Sequence, residues 1–212
     1  MGHMEMQMDK SKQLPTLILV SQSPRRRQLL DALCLDYRVE LPGVDERMPE
    51  AREVEEVTLE NSLRKAESIA GRRPKTGVTE IIIAADTLVV LNGRVLGKPS
   101  DRNEARKMLS QLSGNTHRVV TGLTLLSEKG QRQRAVWSSV TFRKLATDEI
   151  ESYLGTREPY DKAGSYAVQG LSALFIERID GSYTNVMGLP IEALLEELPA
   201  LSGIPVYDWF AP

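Results

Sequence analysis

Asp86 stands inside an apolar run. Residues 81–91 read Ile-Ile-Ile-Ala-Ala-Asp-Thr-Leu-Val-Val-Leu, so a carboxylate interrupts what is otherwise a buried strand. Burying an unpaired carboxylate is costly, so Asp86 should face a cation, a metal ion or a cleft. The plainer alternative is a strand-end aspartate that caps a turn. A second stretch with chemical potential is Ser21-Gln22-Ser23-Pro24-Arg25-Arg26-Arg27. Hydroxyls and three arginines at the start of a helix suit an anion: free backbone N–H groups and the helix dipole point into the turn. Arginine has the wrong sign for a first helical turn, and a bound phosphate would offset that local cost. The third is the segment 159–170, where Asp161, Lys162 and Gln169 are surrounded by small residues and glycines, which allows a ligand to approach the backbone closely.

The elements that would position these groups follow from hydrophobic patterning. Residues 14–20 are a short apolar strand, and the helix after Ser23-Pro24 turns Leu29, Leu30 and Leu33 inward, extending to Cys34. Tyr37 to Val39 suggests a second strand, followed by a turn carrying Asp45 and Glu46, a pair that on its own reads as solvated. Residues 58–70 form an amphipathic helix with Thr58 as cap and Leu59, Leu63, Ala66 and Ile69 on one face. Lys65 lies beside that stripe and can turn inward, although helix lysines in general are exposed. A basic loop over 71–79 leads into the 81–91 strand. Asn92-Gly93 then makes a hairpin turn, and the returning strand 94–96 brings Lys98 back toward Asp86.

Further along, the pattern predicts a helix over 101–112, strands over 117–126, 134–142 and 174–179, and helices over 147–154, capped by Thr147, and 191–198. Residues 185–190 read as a loop. His117, flanking a strand with no second His or Cys nearby, reads as structural, and neither a zinc site nor a histidine-based triad is marked.

Composition limits the function classes. The 212 residues are 41% hydrophobic and 26% charged, a globular balance long enough for a sizeable core. Twenty-seven basic against 29 acidic residues leave a net charge of -2, so bulk electrostatics draw the chain to neither nucleic acid nor membrane. Cys34 is alone, which excludes an intrachain disulfide and suits a reducing, cytoplasmic compartment. No apolar run approaches the roughly 20 residues of a membrane helix. The Met-rich start, residues 1–13 and including His3, reads as a disordered leader or tag remnant. Residues 14–200 then form one domain of two lobes and 201–212 a C-terminal tail.

In combination, Ser21-x-Ser23-Pro24-Arg25-Arg26, Val44-Asp45-Glu46, Lys65, Ala85-Asp86-Thr87, Gly97-Lys98-Pro99, and Asp161-Lys162-Ala163-Gly164 with Gln169-Gly170 resemble, in that order, the Maf family of nucleotide pyrophosphatases. No single motif is decisive, but the set in register is specific, and it spans residues 17–198. The resemblance implies an elongated α/β fold, a mixed sheet of two lobes with flanking helices, similar to the inosine triphosphate pyrophosphatases, with the nucleotide cleft between the lobes. It implies hydrolysis of a nucleoside triphosphate between the α- and β-phosphates with Mg²⁺ or Mn²⁺. It also implies a role in nucleotide-pool house-cleaning, a historical link to septum formation, and a homodimer, while the charge balance and hydropathy above lead to no expectation of stable nucleic-acid or membrane binding.

By the same resemblance, Asp86 is the proton acceptor, Glu46 and Asp86 offer hard oxygen ligands to the metal, and Lys65 and Lys98 neutralise charge developing on the phosphates. Ser21, Ser23, Arg25, Arg26, Thr87, Asp161, Lys162 and Gln169 would bind substrate. Members with Arg, Thr and Gln where this chain has Arg25, Thr87 and Gln169 resemble enzymes preferring dTTP and UTP, whereas Trp, Gln and Glu mark the 7-methyl-GTP type. The Gln169 carboxamide offers both donor and acceptor, which suits a pyrimidine. Departures are small: Gln22 fills the variable place, Arg27 adds a basic residue and Val168 replaces the more usual Ile. The rival readings are a 7-methyl-GTP-type enzyme and a non-catalytic nucleotide- or nucleic-acid-binding regulator of cell division, using Arg25 to Arg27 and Arg72-Arg73 as its surface.

Overall fold

A computed structural model describes residues 14–48, 53–72 and 79–210. The expected leader with His3, and the larger part of the basic loop with Arg73, lie outside the described residues. One mixed sheet organises the chain, in the order β2-β1-β3-β5-β6-β7. Its strands are β1 (Thr16–Val20), β2 (Tyr37–Glu40), β3 (Glu80–Leu91), β5 (Thr116–Ser127), β6 (Gly130–Phe142) and β7 (Ile176–Asp180), while β4 (Arg94–Leu96) pairs with the far end of β3. β1 is parallel to β2 and β3, and all later pairings are antiparallel. Parallel pairing demands a crossover, supplied by α1 (Pro24–Ala32) between β1 and β2 and α2 (Val54–Ala70) before β3. The hairpin predicted at Asn92-Gly93 is present, both residues having positive φ.

β3 has 12 residues, and on its face away from α2 it belongs to two cores at once. Its first half contributes Ile81, Ile83 and Ala85 to a cluster with β1, Leu123, Leu125 and the helix α6 (Ile191–Ser202). Its last half contributes Val89 and Leu91 to a second cluster with α3 (Arg102–Leu112), α4 (Thr147–Leu154), Phe142 and Tyr166. Asp86 and Thr87 fall between the two along the strand. Alternation along the strand sends Asp86 to the face covered by α2 and Thr87 to the opposite face.

Several boundaries differ from the sequence expectation. α2 begins at Val54, one turn before Thr58, because Val54 and Val57 extend its buried stripe and Glu55 and Glu56 suit a first turn. Thr58 is therefore not a cap: it is fully buried, and its hydroxyl donates back to the Val54 carbonyl. In α4 the cap position is Ala146, with Thr147 the first helical residue, and the Glu149 carboxylate accepts from the Ala146 N–H. Cys34 lies past the end of α1 and is exposed. Residues 185–187, expected as the start of a loop over 185–190, instead belong to the short helix α5 (Tyr183–Met187). The boundary at 200 falls inside α6, and Leu201 and Trp209 join the first core.

Candidate active site

Asp86 pairs across the sheet with Gly122 of β5. A Cβ on Gly122 would lie 2.6 Å from the Thr58 carbonyl carbon and oxygen, so the missing side chain lets α2 sit directly on the sheet. Ser62 Oγ, 2.6 Å from Thr124 Oγ1, and Gln133 Nε2, donating to Leu59 O at 3.0 Å, hold it there. The consequence is that Asn61 and Lys65, one helical turn apart, reach the Asp86 carboxylate from above. Lys65 Nζ donates to Asp86 Oδ1 at 2.7 Å, to Glu46 Oε1 at 2.6 Å and to Ala85 O at 3.3 Å. Asn61 Nδ2 donates to Asp86 Oδ2 at 2.9 Å.

The lysine predicted to turn inward does so: Lys65 and Asp86 side chains are each only 4% accessible, whereas Glu46 is 45% accessible. All three ammonium protons have partners, which is what makes a buried charge tolerable. Burial pushes the Glu46 carboxyl up, but the Lys65 ammonium, through charge and hydrogen bond, with Lys98 and Arg26 beyond it, holds it below the ordinary carboxylate range.

These groups line a cleft of about 510 Å³, within the range of small-molecule sites. Its lining carries five cations, Arg25, Arg26, Lys65, Lys98 and Lys162, and four carboxylates, Asp45, Glu46, Asp86 and Asp161. Every residue that the resemblance assigns to the site lines this cleft, Ser21, Ser23 and Thr87 included, except Gln169, which is half-buried next to the lining residues Ala167 and Val168. Lys98 is exposed on the cleft edge, returned there by the hairpin, and the Gly164 N–H donates to Gly97 O at 3.0 Å, stitching the last motif to it. Lys162 Nζ donates to Glu158 O at 2.7 Å and to the Asp161 carboxylate. Glu158, which nothing in the sequence pattern marked, accepts the Leu171 and Ser172 N–H groups and so anchors the segment after Gln169-Gly170.

The Ser21–Arg27 turn is built differently from a simple phosphate loop. Ser23 occupies the cap position with Pro24 after it, but its side chain makes no capping bond, and its own N–H donates to Ser21 Oγ at 3.0 Å. Arg25 lines the cleft half-buried and Arg27 is exposed. Arg26 acts as a clasp: Nε donates to Gly188 O at 2.6 Å, Nη2 to Thr87 Oγ1 at 3.0 Å and Nη1 to Ser21 Oγ at 3.4 Å. Burial lowers its pKa, against the raising influence of Asp86 and Glu46.

Gly188 ends α5 in a left-handed conformation, φ 106°, and a side chain there would crowd Thr87 Oγ1 at 3.2 Å. From Arg26 the hydrogen bonds run on in one direction. Thr121 Oγ1 donates to Asn185 O at 3.0 Å, so the 2.9 Å contact between Thr87 and Thr121 takes the Thr87 proton. The Thr87 hydroxyl is thereby left with acceptor capacity only. Asn61, Thr121, Gly122 and Gly188 were not marked by spacing. A Gly two residues before Pro190 was the one available signal, for a helix end.

His117 is structural, as expected: it is 1% exposed, its Nε2 lies 2.6 Å from the Tyr166 hydroxyl, and burial lowers its pKa to about 4. Tyr166 in turn lines the cleft.

For a divalent ion, the donors on hand are Glu46 and Asp86. Among the described residues no group of three or more His, Cys, Asp or Glu side chains forms a metal cage. Two hard carboxylates fit Mg²⁺ or Mn²⁺ when substrate phosphates and water complete the shell, so the residues match a metal brought with a triphosphate.

Fold and cleft together define a mixed α/β protein that gathers cations around a buried carboxylate. A family model described as Maf-like protein matches residues 16–201, and the chain belongs to this family. A protein of Syntrophus aciditrophicus (strain SB) is 45% identical over 190 residues, covering 89% of this chain and 91% of the relative. One from Phocaeicola vulgatus is 43% identical, covering 87% and 95%, and one from Pyrococcus furiosus 44% identical, covering 85% and 92%. All three are named dTTP/UTP pyrophosphatase. No helix among the described residues is long and apolar enough to cross a membrane.

Proposed function

We propose that this chain is a nucleoside triphosphate pyrophosphatase acting on dTTP and UTP, releasing the monophosphate and pyrophosphate. The observation that carries the reading is the Asp86 carboxylate, 3% exposed at the cleft wall, with one oxygen held by Lys65 and the other by Asn61. Relatives at 43–45% identity bear the name of that activity.

Asp86 takes the proton of the attacking water, its lone pairs directed by the two α2 side chains. Lys65 and Lys98 compensate charge growing on the phosphates. Ser21, Ser23 and Arg25 bind the triphosphate, while Arg26, already committed to Gly188 O and Thr87, holds the turn that carries them in place. Asp161 and Lys162 bound the far side. Glu46 and Asp86 would hold the metal, which supplies charge neutralisation and orientation of the phosphates. Thr87, restricted to accepting, suits an N–H donor such as that at N3 of uracil or thymine, and Gln169 joins base selection if the segment after Val168 turns to the cleft on binding. A cytoplasmic homodimer is proposed on the family resemblance.

The test is product analysis with dTTP, UTP, 7-methyl-GTP and pseudouridine triphosphate, each with Mg²⁺ and with Mn²⁺. Pyrophosphate and monophosphate from dTTP and UTP in preference to 7-methyl-GTP support the reading. Preference for 7-methyl-GTP reassigns the substrate, and salt-sensitive duplex binding without hydrolysis of any triphosphate overturns the enzyme.

A further inference from the structure

Asn61 is buried, 2% exposed, and spends its side chain on two segments of the site at once, the loop at Arg47 and strand β3 at Asp86. Its Oδ1 accepts the Arg47 N–H at 2.9 Å, and its Nδ2 donates to Arg47 O at 2.8 Å and to Asp86 Oδ2 at 2.9 Å. One orientation of the amide satisfies all three, with the nitrogen toward the carboxylate. The two bonds to Arg47 reproduce the exchange between paired β-strands, and Arg47 is the residue after Glu46. Lys65 Nζ, bonded to Glu46 at 2.6 Å, is a second buried tie between this loop and α2, and the Arg47 guanidinium adds ion pairs with Glu53, just before α2, at 3.3 Å and with Glu60 at 3.0 Å. The Arg47, Glu53 and Glu60 side chains are 43–50% accessible, where solvent leaves ion pairs weak. The Asn61 amide and the Lys65 ammonium are therefore the ties that count, and of the two only Asn61 holds the loop by its backbone.

We infer that Asn61 is a positioning residue that locks Asp86 and the Glu46 loop into one unit, so that base and second carboxylate keep a fixed separation on either side of Lys65. The inference rests on the proposed pyrophosphatase activity. No other side chain of similar size meets the demand. Aspartate lacks the donors and adds a third carboxylate, alanine leaves the Arg47 N–H and an Asp86 oxygen without partners, and glutamine is one methylene too long for the space under α2. Removing such a tether lets reacting groups drift, and a displacement near 1 Å costs on the order of 100-fold.

The experiment is a double-mutant cycle on pyrophosphate release from dTTP with Mn²⁺, using wild type, Asn61→Ala, Asp86→Asn and the double variant. Thermal melting selects a temperature at which all four are folded. Asn61→Ala should lower kcat on the order of 10–100-fold while KM stays within about threefold, because the residue touches no substrate. The loss in the double variant should fall short of the product of the single losses by at least about tenfold, as for groups acting as a unit. If Asn61→Ala is unfolded, the isosteric Asn61→Asp takes its place, with the same expectation. Multiplicative losses, or an undiminished kcat in a folded variant, overturn the inference while leaving the activity intact. A wild-type chain that hydrolyses no triphosphate removes the activity on which it rests.

Discussion

Between α3 and α4, the Glu151 carboxylate is gripped by Arg106 and by Arg102, with Nη2 contacts of 3.0 and 2.9 Å. In the cleft, the Lys65 ammonium is gripped by Asp86 and Glu46 at 2.7 and 2.6 Å. Bond lengths do not separate the two clusters; accessibility does. Glu151, Arg102 and Arg106 are 36–46% accessible, and although hydrogen bonds from Arg106 and then Arg102 hold the Glu151 carboxyl down to about 2, water can replace either partner. Lys65 and Asp86 at 4% have no such substitute. The first cluster fastens two surface helices, while the second holds a buried ion pair at the wall of the cleft. Salt-bridge geometry alone therefore says little about function, and burial beside a cleft says much more.

Four perturbations, taken from the largest effect down, would break or sharpen this contrast. Lys65→Met leaves Asp86 buried without its cation; it should cost roughly 3–5 kcal/mol in urea unfolding, as uncompensated buried charges do, and abolish measurable turnover. Acidification should act mainly through the protein interior. His117 takes up a proton near 6.5 in the unfolded chain but only at about 4 in the folded one. Its contribution is intact at neutral pH and is lost as pH falls through the window from about 6.5 to 4. The loss is on the order of 3 kcal/mol, read from urea midpoints, and a His117→Gln variant should flatten that slope.

Gly122→Ala inserts a Cβ against the Thr58 carbonyl and should destabilise by roughly 1–3 kcal/mol, with kcat falling because Asn61 and Lys65 are lifted from Asp86. Arg106→Met, in the exposed cluster, should leave turnover within about twofold of wild type, as surface substitutions do. A large loss there would erase the distinction drawn between the clusters.

The parts of the site that were legible in the sequence are those set by local pattern. An aspartate inside an Ile-Ala run, a Ser-Pro-Arg helix start and an Asn-Gly hairpin each constrain their own few residues, and Asp86, Ser23 and Lys98 were placed from them. Lys65 was readable because it borders an apolar stripe. Asn61 was not, since a polar residue in a helix reads as solvent-facing until the partner strand is known. Gly122 and Thr121 matter only through the β3–β5 register, which pairs Asp86 with Gly122 and Thr87 with Thr121. That register depends on a connection through α3 that no short-range signal specifies. The role of Arg26 as a clasp likewise needed Gly188, 162 residues away. Gln169 is the residue that pattern and family resemblance put in the site and that lies next to its lining.

The central claim is that Asp86 is the base in this cleft. Initial rates of pyrophosphate release from dTTP, measured with saturating substrate and Mn²⁺ for wild type and Asp86→Asn, test it most directly. The asparagine keeps the shape of the side chain and removes its proton affinity, so kcat should fall at least about 100-fold while the variant stays folded. A folded Asp86→Asn protein that turns over dTTP at the wild-type rate would contradict the account.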